Sequence, residues 1–299
     1  MKEVKITTKY EGALLIEDSN FRKNYEERIG NNPVYIQVTY GDTKHLAICP
    51  RCNNPVAILG IYKQISTAPH ARHVKGLSIP NVAEYNEDKL LHCPYYRKRA
   101  NYIKEYVPEE EKPQRQELYR ITKEHYDKVI YLLSKETGIY ITYDMAEKLA
   151  KNYVNMQAYN YIDATVYNIP WYLIYSFNGF PLHYMIVKKN TTLYRHLSHM
   201  GLKLKDSRMQ GYVYVESNEE YLLAATNYRY VVSKNEYLNE WLDFSILRPD
   251  PTETDIGLFV PADRFSVKVD SNYFASLINY DKWKVNEKIL DIAKRCMNA

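Results

Sequence analysis

Side chains able to bind a metal are concentrated in one short stretch of this 299-residue chain. The stretch contains three of the four cysteines and three of the eight histidines, namely Cys49, Cys52, His70, His73, His92 and Cys93. A Cys-x₂-Cys spacing places two thiolates on one tight turn, as a tetrahedral zinc site requires. Clustered cysteines in a reducing compartment are more often metal ligands than disulfides. The sequence therefore predicts a zinc-bound N-terminal module.

The predicted ligands of a structural zinc ion are Cys49, Cys52, His73 and Cys93. A closed site needs four ligands, and the turn supplies only two, so the second pair must come from residues 70–93. Cys93 precedes Pro94 and Tyr95, a pattern typical of a second Cys-containing turn. His70 or His92 could replace His73 as the fourth ligand. A Cys₂His₂ site with His70 and His73 is the main alternative.

Two other interpretations of the Cys-x₂-Cys motif remain open. The motif could be a coincidence in a core hairpin, although Pro50 and the run Asn53-Asn54-Pro55 are turn formers. A catalytic zinc would need an open coordination position and a nearby proton carrier. Residues 66–96 are rich in turn formers and are expected to form a loop. Glu84 and Glu87 lie in this loop, but no His-x-Glu motif accompanies the cysteines. A structural metal is therefore the favoured interpretation.

This stretch resembles the N-terminal zinc module of CoiA-like bacterial competence proteins. The resemblance is carried by Cys49-Pro50-Arg51-Cys52, by Gly60 and by Pro69-His70-Ala71-Arg72-His73. Ala71 stands where the family has a phenylalanine, and Cys93 is an additional candidate ligand. Beyond residue 100 we find no match to the nuclease-like region of that family. The resemblance implies DNA handling in a bacterium or a mobile element, and it does not imply nuclease activity.

The hydrophobic pattern predicts an α+β fold in two parts. A zinc ribbon-like module is expected over residues 1–105 and an α+β domain over residues 106–299, with a helical pair, a mixed or antiparallel β-rich region and a C-terminal helix. Helices are predicted over 115–136, from about 142, and over 191–200, 236–242 and 276–297. Strands are predicted over 33–40, on both sides of the Cys-x₂-Cys turn, and over 171–177, 182–187, 211–215, 228–232, 256–260 and 265–269. Asn178-Gly179 predicts a hairpin turn between the strands at 171–177 and 182–187.

Composition narrows the range of functions only modestly. The net charge of +4 permits an anionic partner without requiring one. The N-terminal residues lack an apolar signal segment, and no apolar run is long enough to cross a bilayer. We therefore expect a cytoplasmic protein with no membrane contact. Tyrosine is unusually frequent, with 31 Tyr against 7 Phe, and it could fill the core or stack on nucleobases.

A basic segment follows the last candidate ligand directly. Arg97, Lys98 and Arg99 are interleaved with Tyr95, Tyr96 and Tyr102. Cationic side chains neutralise phosphates and aromatic rings stack on unpaired bases, so these three residues are the predicted nucleic-acid contacts. The acidic run at residues 109–111 lies close in sequence, and a solvated charged segment is the alternative interpretation.

The sequence contains no strong signature of an enzyme. There is no Walker loop, no G-x-G-x-x-G and no G-x-S-x-G motif. Carboxylates that could serve a metal-dependent nuclease are present without a distinctive spacing: Asp163, Glu216, Asp255 and Asp263. The favoured function is a zinc-stabilised nucleic-acid-binding accessory or regulatory protein of bacterial or phage origin, connected with defence or mobile elements. The alternatives are a Mg²⁺-dependent nuclease with a structural zinc module and a protein-interaction scaffold.

Overall fold

The computed structural model describes residues 1–9, 11–17, 19–39, 42–63, 65, 67–217, 220–250 and 258–297. The chain forms two compact units. Unit 1 comprises Met1–Ala100, Tyr230–Asn239 and Ala275–Asp281, and unit 2 comprises Asn101–Arg229, Glu240–Phe274 and Lys282–Ala299. Both combine helices with antiparallel strands, which confirms the α+β class. Unit 1 also includes Tyr230–Asn239 and Ala275–Asp281, which the sequence analysis had assigned to the domain at residues 106–299.

Unit 1 is built on a small antiparallel sheet. Its strands are β1 (Glu3–Val4), β2 (Leu14–Leu15), β3 (Ile36–Thr39), β4 (Asp42–Ile48), β5 (Pro55–Leu59) and β6 (His70–His73), and its helices are α1 (Phe21–Ile29), α2 (Glu87–Leu91) and α3 (Pro94–Arg97). Strands β3 to β6 pair in chain order, and β1 pairs with β2. The predicted strand–turn–strand around the cysteines is therefore confirmed. The segment from 66 to 96 was expected to be a loop, but β6 and two short helices form there.

The remaining elements begin with β7 (Arg99–Asn101). The helices that follow are α4 (Lys112–Glu124), α5 (Tyr126–Thr137), α6 (Tyr143–Asn155), α7 (Ile169–Tyr175), α8 (Thr192–His199), α9 (Ser271–Ile278) and α10 (Glu287–Cys296). The strands are β8 (Phe180–Pro181), β9 (Ile186–Lys188), β10 (Lys203–Asp206), β11 (Tyr212–Glu216), β12 (Leu222–Val232), β13 (Leu238–Pro249) and β14 (Phe259–Val269). One sheet has the order β14-β13-β12-β7, with β8 also paired to β12, and another has the order β10-β11-β9.

Two of the predicted helices are confirmed, at α6 and α8, and both begin at a threonine whose side chain caps the helix. Thr142 accepts a hydrogen bond from the Met145 N–H at the start of α6, and Thr191 accepts one from the Tyr194 N–H at the start of α8. The helix predicted over residues 115–136 is two helices, because His125 leaves helical geometry at φ −119°. The single helix predicted over 276–297 is likewise divided, since α9 ends at Ile278 and α10 begins at Glu287.

Three predictions in the strand-rich region are wrong for identifiable reasons. Residues 171–177 lie mostly in α7, whose residues are all buried, so a short apolar run could not distinguish helix from strand. Residues 236–242 enter β13 instead of a helix. The hairpin expected at Asn178-Gly179, with its returning strand over 182–187, does not form, because β8 pairs with the distant β12 and β9 begins only at Ile186. The prediction over 256–260 falls partly outside the described residues, and the one over 265–269 is confirmed within β14.

Tyrosine occurs both in the core and at the surface. Fourteen tyrosines of the described chain are buried. Many of their hydroxyl groups donate to backbone carbonyls, as Tyr25 does to Leu46 (2.8 Å), Tyr35 to Ile6 (2.7 Å) and Tyr126 to Ala146 (2.7 Å). A buried phenol with a satisfied hydroxyl contributes apolar area without an unpaired polar atom. None of the described helices is long and apolar enough to span a membrane.

Candidate metal centre

The Cys-x₂-Cys motif occupies the turn between β4 and β5. The Cys49 N–H donates to the Asn54 carbonyl at 2.8 Å, and the Asn53 N–H donates to the Cys49 carbonyl at 3.1 Å. Asn53 takes a left-handed conformation with φ 59°, which asparagine tolerates better than most residues. The turn therefore brings both thiols to one side of the hairpin end.

His73 reaches the cysteines because β6 pairs with β5, opposite Val56. Successive side chains of a strand point to opposite faces, so His70 and His73, three positions apart, point in opposite directions. The His70 Nδ1 instead lies 2.9 Å from the Ala68 carbonyl oxygen. Strand geometry thus selects His73 and explains why His70 lies outside the cluster.

Cys93 sits at the junction between α2 and α3. Its carbonyl accepts hydrogen bonds from the Tyr96 N–H (3.0 Å) and the Arg97 N–H (2.9 Å). Pro94 occupies the first turn of α3, where a missing N–H has no cost. His92 is the C-terminal cap of α2 and is not part of the cluster of donor atoms.

The four predicted ligands come together in space. The donor atoms of Cys49, Cys52, His73 and Cys93 all lie within 4.8 Å of one another. The Cys49 and Cys93 sulfurs are 3.6 Å apart, and the His73 Nε2 lies 3.3 Å from the Cys52 sulfur and 3.8 Å from the Cys93 sulfur. Within the described residues this is the single group of three or more His, Cys, Asp or Glu side chains arranged to hold a metal ion.

Asn54 braces this cluster, and the sequence indicated it only as a turn former. The buried Asn54 Nδ2 donates to the Cys52 sulfur at 3.4 Å, and its Oδ1 accepts the Asn86 N–H at 2.7 Å. The Asn86 side chain in turn caps α2 by accepting the Lys89 N–H at 2.8 Å. One amide side chain therefore links the first pair of ligands to the helix that leads to Cys93.

The three thiols interact strongly. Burial alone would raise the pKa of Cys49, but hydrogen bonds from Cys52 and Cys93 and the charge of His73 hold that pKa well below its ordinary value. Burial and the neighbouring Cys49 raise the pKa values of Cys52 and Cys93. Three adjacent thiolates repel one another, and a divalent cation is the group that would stabilise them together.

Two buried cations and one carboxylate lie near the cysteines. Burial lowers the pKa of Lys5 to about 8, while the charges of Cys49 and Glu11 oppose that shift. Arg51 is buried within the turn, 3.9 Å from a Glu3 oxygen that also accepts the Tyr95 hydroxyl at 2.6 Å. Buried charges are tolerated when opposite charges compensate them, so this region suits a metal–thiolate group with a net negative charge.

A groove of about 500 Å³ lies beside the cluster and includes His73 in its wall. Its polar lining includes Arg72, Lys75, Lys98, Glu87 and Glu236. Lys75 pairs with Glu87 at 3.0 Å and Lys98 pairs with Glu236 at 2.9 Å. Arg72 is exposed, and it has no ion pair in the part of the chain that is described.

The predicted basic contacts lie at the groove or next to it. Arg97 ends α3, Arg99 begins β7, and Lys98 between them takes φ 67°. All three side chains are exposed, and only Lys98 lines the groove. The half-exposed ring of Tyr96 lines it as well. Arg72 also lines the groove, and the sequence did not single it out, because there it is simply the residue before a candidate ligand.

The carboxylates considered for a nuclease do not form a shared site among the described residues. Asp163 is buried and accepts the Ile103 N–H at 3.3 Å. Asp263 pairs with the His196 Nδ1 at 2.7 Å, and Glu216 lies between Lys203 and Lys205. Asp255 lies outside the described residues.

Comparison with known proteins adds no assignment. No family model, no curated protein and no solved structure matches this chain.

Proposed function

We propose that this chain is a zinc-stabilised nucleic-acid-binding protein that acts as an accessory or regulatory factor. The observation that carries the proposal is the link between the ligands and the groove. His73 follows Arg72 in β6, and Cys93 immediately precedes the helix that ends at Arg97 and Lys98. A metal bound by these ligands would fix the cationic side chains in place.

The donor set supports zinc as the metal. Sulfur ligands at about 2.3 Å and nitrogen ligands at about 2.0 Å from a tetrahedral zinc lie about 3.8 Å (S–S) and about 3.5 Å (S–N) from one another. The cluster has 3.6 Å for Cys49–Cys93 and 3.3 and 3.8 Å for the pairs that include His73. Thiolates and imidazole also favour zinc over magnesium or calcium. Four protein ligands close the coordination shell, which is typical of a structural rather than a catalytic zinc.

The charge and shape of the groove support an anionic, base-bearing ligand. Arg72 supplies a cation with no ion pair among the described residues, and Lys98 could exchange Glu236 for a phosphate. Tyr96 offers a ring face, and such rings stack on unpaired bases. The zinc ribbon-like character of this module and a role in bacterial or phage DNA handling are parts of the same proposal, supported by the resemblance to CoiA-like proteins.

The experiment is a salt titration of binding to labelled single- and double-stranded oligonucleotides. The double variant Arg72→Gln/Lys98→Gln is compared with Lys23→Gln, an exposed lysine of α1. Each phosphate contact removed should reduce the slope of log K against log salt by about 0.7 to 0.9. Equal binding by both variants and the parent protein would refute the groove as the contact surface. Cleavage that requires Mg²⁺ would favour the nuclease alternative instead.

A further inference from the structure

We propose that the exposed face of the β9–β11–β10 sheet in unit 2 is a binding platform for single-stranded nucleic acid. We define this platform as Lys188 on β9, Lys203 and Lys205 on β10, and Tyr212 and Tyr214 on β11, together with the flanking Tyr140 and Tyr184. It shares no residue with the groove of unit 1, so it goes beyond the function proposed above.

The register of the sheet fixes which side chains are exposed. Val213 and Val215 of the central strand β11 are buried. Because side chains alternate between the two faces of a strand, Tyr212 and Tyr214 lie on the opposite, solvent side, where both are half-buried. Two ring faces on one strand, roughly 7 Å apart along it, suit successive bases of an extended single strand.

Two further tyrosines extend these rings into a row. Tyr140 is 6.0 Å from Tyr212 and Tyr184 is 6.1 Å from Tyr214, measured between ring centroids. The backbone holds both residues to the sheet, since the Tyr140 N–H donates to Ile186 (2.9 Å) and the Tyr184 N–H donates to Val215 (2.8 Å). Tyr184 remains 65% exposed and has φ 60°, a conformation that is rare and strained for a bulky side chain.

Lysines stand beside the tyrosines on both neighbouring strands. Lys188 is the register partner of Tyr212, and Lys205 is the register partner of Tyr214. Lys203 and Lys205 share the single carboxylate of Glu216. Lys188 is exposed and has no ion pair in the described part of the chain. Cations on both sides of a row of rings can contact the phosphates while the bases stack between them.

The segment that builds this sheet is also the source of an unusual charge excess. Residues 186–216 contain six Lys or Arg and two Asp or Glu, an excess equal to the +4 of the whole chain. A duplex offers its phosphates but keeps its base faces stacked inside. Exposed ring faces together with positive charge therefore favour a single strand over a duplex.

The test is fluorescence anisotropy of the full chain with labelled oligo-dT and oligo-U of about 20 nucleotides, longer than a typical single-strand site, and with a duplex of the same length. We expect Tyr212→Ala/Tyr214→Ala to weaken oligo-dT binding by about 30-fold or more. Tyr212→Phe/Tyr214→Phe should bind within about twofold of the parent protein, since the ring faces remain. Tyr143→Ala, at a half-exposed tyrosine of α6, is the matched control. Oligo-U tested beside oligo-dT shows whether the sugar matters.

Lys188→Gln provides a second, independent variant if the double alanine variant does not fold. It should reduce the slope of log K against log salt by about 0.7, whereas Lys284→Gln, also exposed, should leave the slope unchanged. The proposal is overturned if the parent protein does not bind single strands or prefers the duplex. It is also overturned if the folded alanine variant binds normally, or if the phenylalanine variant loses as much affinity as the alanine variant.

The two surfaces can be told apart. A loss of binding with Arg72→Gln/Lys98→Gln but not with the variants of the platform would overturn this inference and leave the groove proposal standing. A loss of binding with the variants of the platform but not with Arg72→Gln/Lys98→Gln would support the platform and refute the groove as a contact surface.

Discussion

The two units differ in the length of their strands and in the presence of candidate metal ligands among their described residues. In unit 1 the longest strand, β4, has seven residues, and the end of the β4–β5 hairpin meets β6 and α3 at four potential metal ligands. Most residues of three neighbouring strands of 11, 12 and 11 residues belong to unit 2, as does the buried helix α7. Because unit 1 also has an apolar core, we expect it to depend on a bound metal in addition to apolar burial, and unit 2 to depend on apolar burial without a metal.

Buried charged groups have different partners at two places in the molecule. In unit 1, Lys5 interacts with the charges of Cys49 and Cys52, and Arg51 of the same turn pairs with Glu3. In unit 2, the buried Glu240 accepts the hydroxyls of Tyr102 and Tyr228, both at 2.7 Å. Charges near a metal–thiolate group balance its charge, while the carboxylate in unit 2 is satisfied by neutral donors. Each unit should therefore respond to a different perturbation.

Metal removal should have the largest effect and should affect unit 1 alone. A structural zinc contributes on the order of 10 kcal/mol to folding. We expect a strong chelator, or Cys49→Ser, to abolish hydrogen-exchange protection in β4, β5 and β6 while α5 and α7 stay protected. Cys296→Ser, at the cysteine outside the cluster, should change neither unit. Protection of these strands that survives complete metal removal would show that unit 1 folds without a metal.

Glu240→Ala should have the second largest effect and should be confined to unit 2. It removes the charged acceptor that the hydroxyls of Tyr102 and Tyr228 share, and each hydrogen bond to a charged group contributes about 1.5–3 kcal/mol. Urea unfolding should report this loss with or without chelator. The exposed Glu220 provides the control, Glu220→Ala. A loss that appears only in chelator would contradict the assignment.

Asp127→Ala tests how the C-terminal helix is attached within unit 2. Asp127 accepts the Trp283 indole N–H at 2.6 Å and the Asn286 N–H at 3.1 Å, immediately before α10. Hydrogen bonds to a charged acceptor contribute about 1.5–3 kcal/mol, so we expect a loss of about 2 kcal/mol and faster exchange in α10. Asp291→Ala, at an exposed position of α10, should lack this effect. Unchanged exchange in α10 would show that Asp127 does not anchor it.

The smallest predicted effect is a pH dependence of unit 1. Burial lowers the pKa of Lys5 to about 8 in the folded chain from an ordinary value of 10.5. The unfolded chain therefore binds more protons between these values, and stability should rise with pH, by about 1 kcal/mol from pH 7 to 9. Lys5→Met should remove this part of the slope in unfolding experiments across that range. Lys23→Met, at an exposed lysine, should keep it, and an unchanged slope in Lys5→Met would contradict the assignment.

The sequence allowed the proximity of the four ligands to be predicted, but not what positions them. Cys-x₂-Cys spacing and turn formers defined the β4–β5 hairpin. The choice of His73 over His70 depended on β6 being a strand, and three polar residues and one alanine form no hydrophobic pattern that would reveal it. The bracing role of Asn54 depends on its contact with Asn86, which is remote in sequence. Unit 2 was harder, because α7 is buried throughout and an apolar run of that length is compatible with helix or strand.

Tyrosine illustrates a second limit of the sequence. Its frequency was evident, but the same residue type fills the core at Tyr25 and Tyr126 and lies on a solvent-facing sheet at Tyr212 and Tyr214. Only the pairing of β11 with its neighbours separates these environments, because register decides which face of a strand is exposed.

Cys49, Cys52, His73 and Cys93 are proposed to bind one structural zinc ion. The metal content of the purified chain, combined with X-ray absorption at the zinc edge, tests this proposal. We expect one zinc per chain with three sulfur ligands at about 2.3 Å and one nitrogen ligand at about 2.0 Å, and a sulfur count that falls by one in Cys93→Ser. A chain that does not retain zinc, or a zinc bound mainly by oxygen, would contradict it.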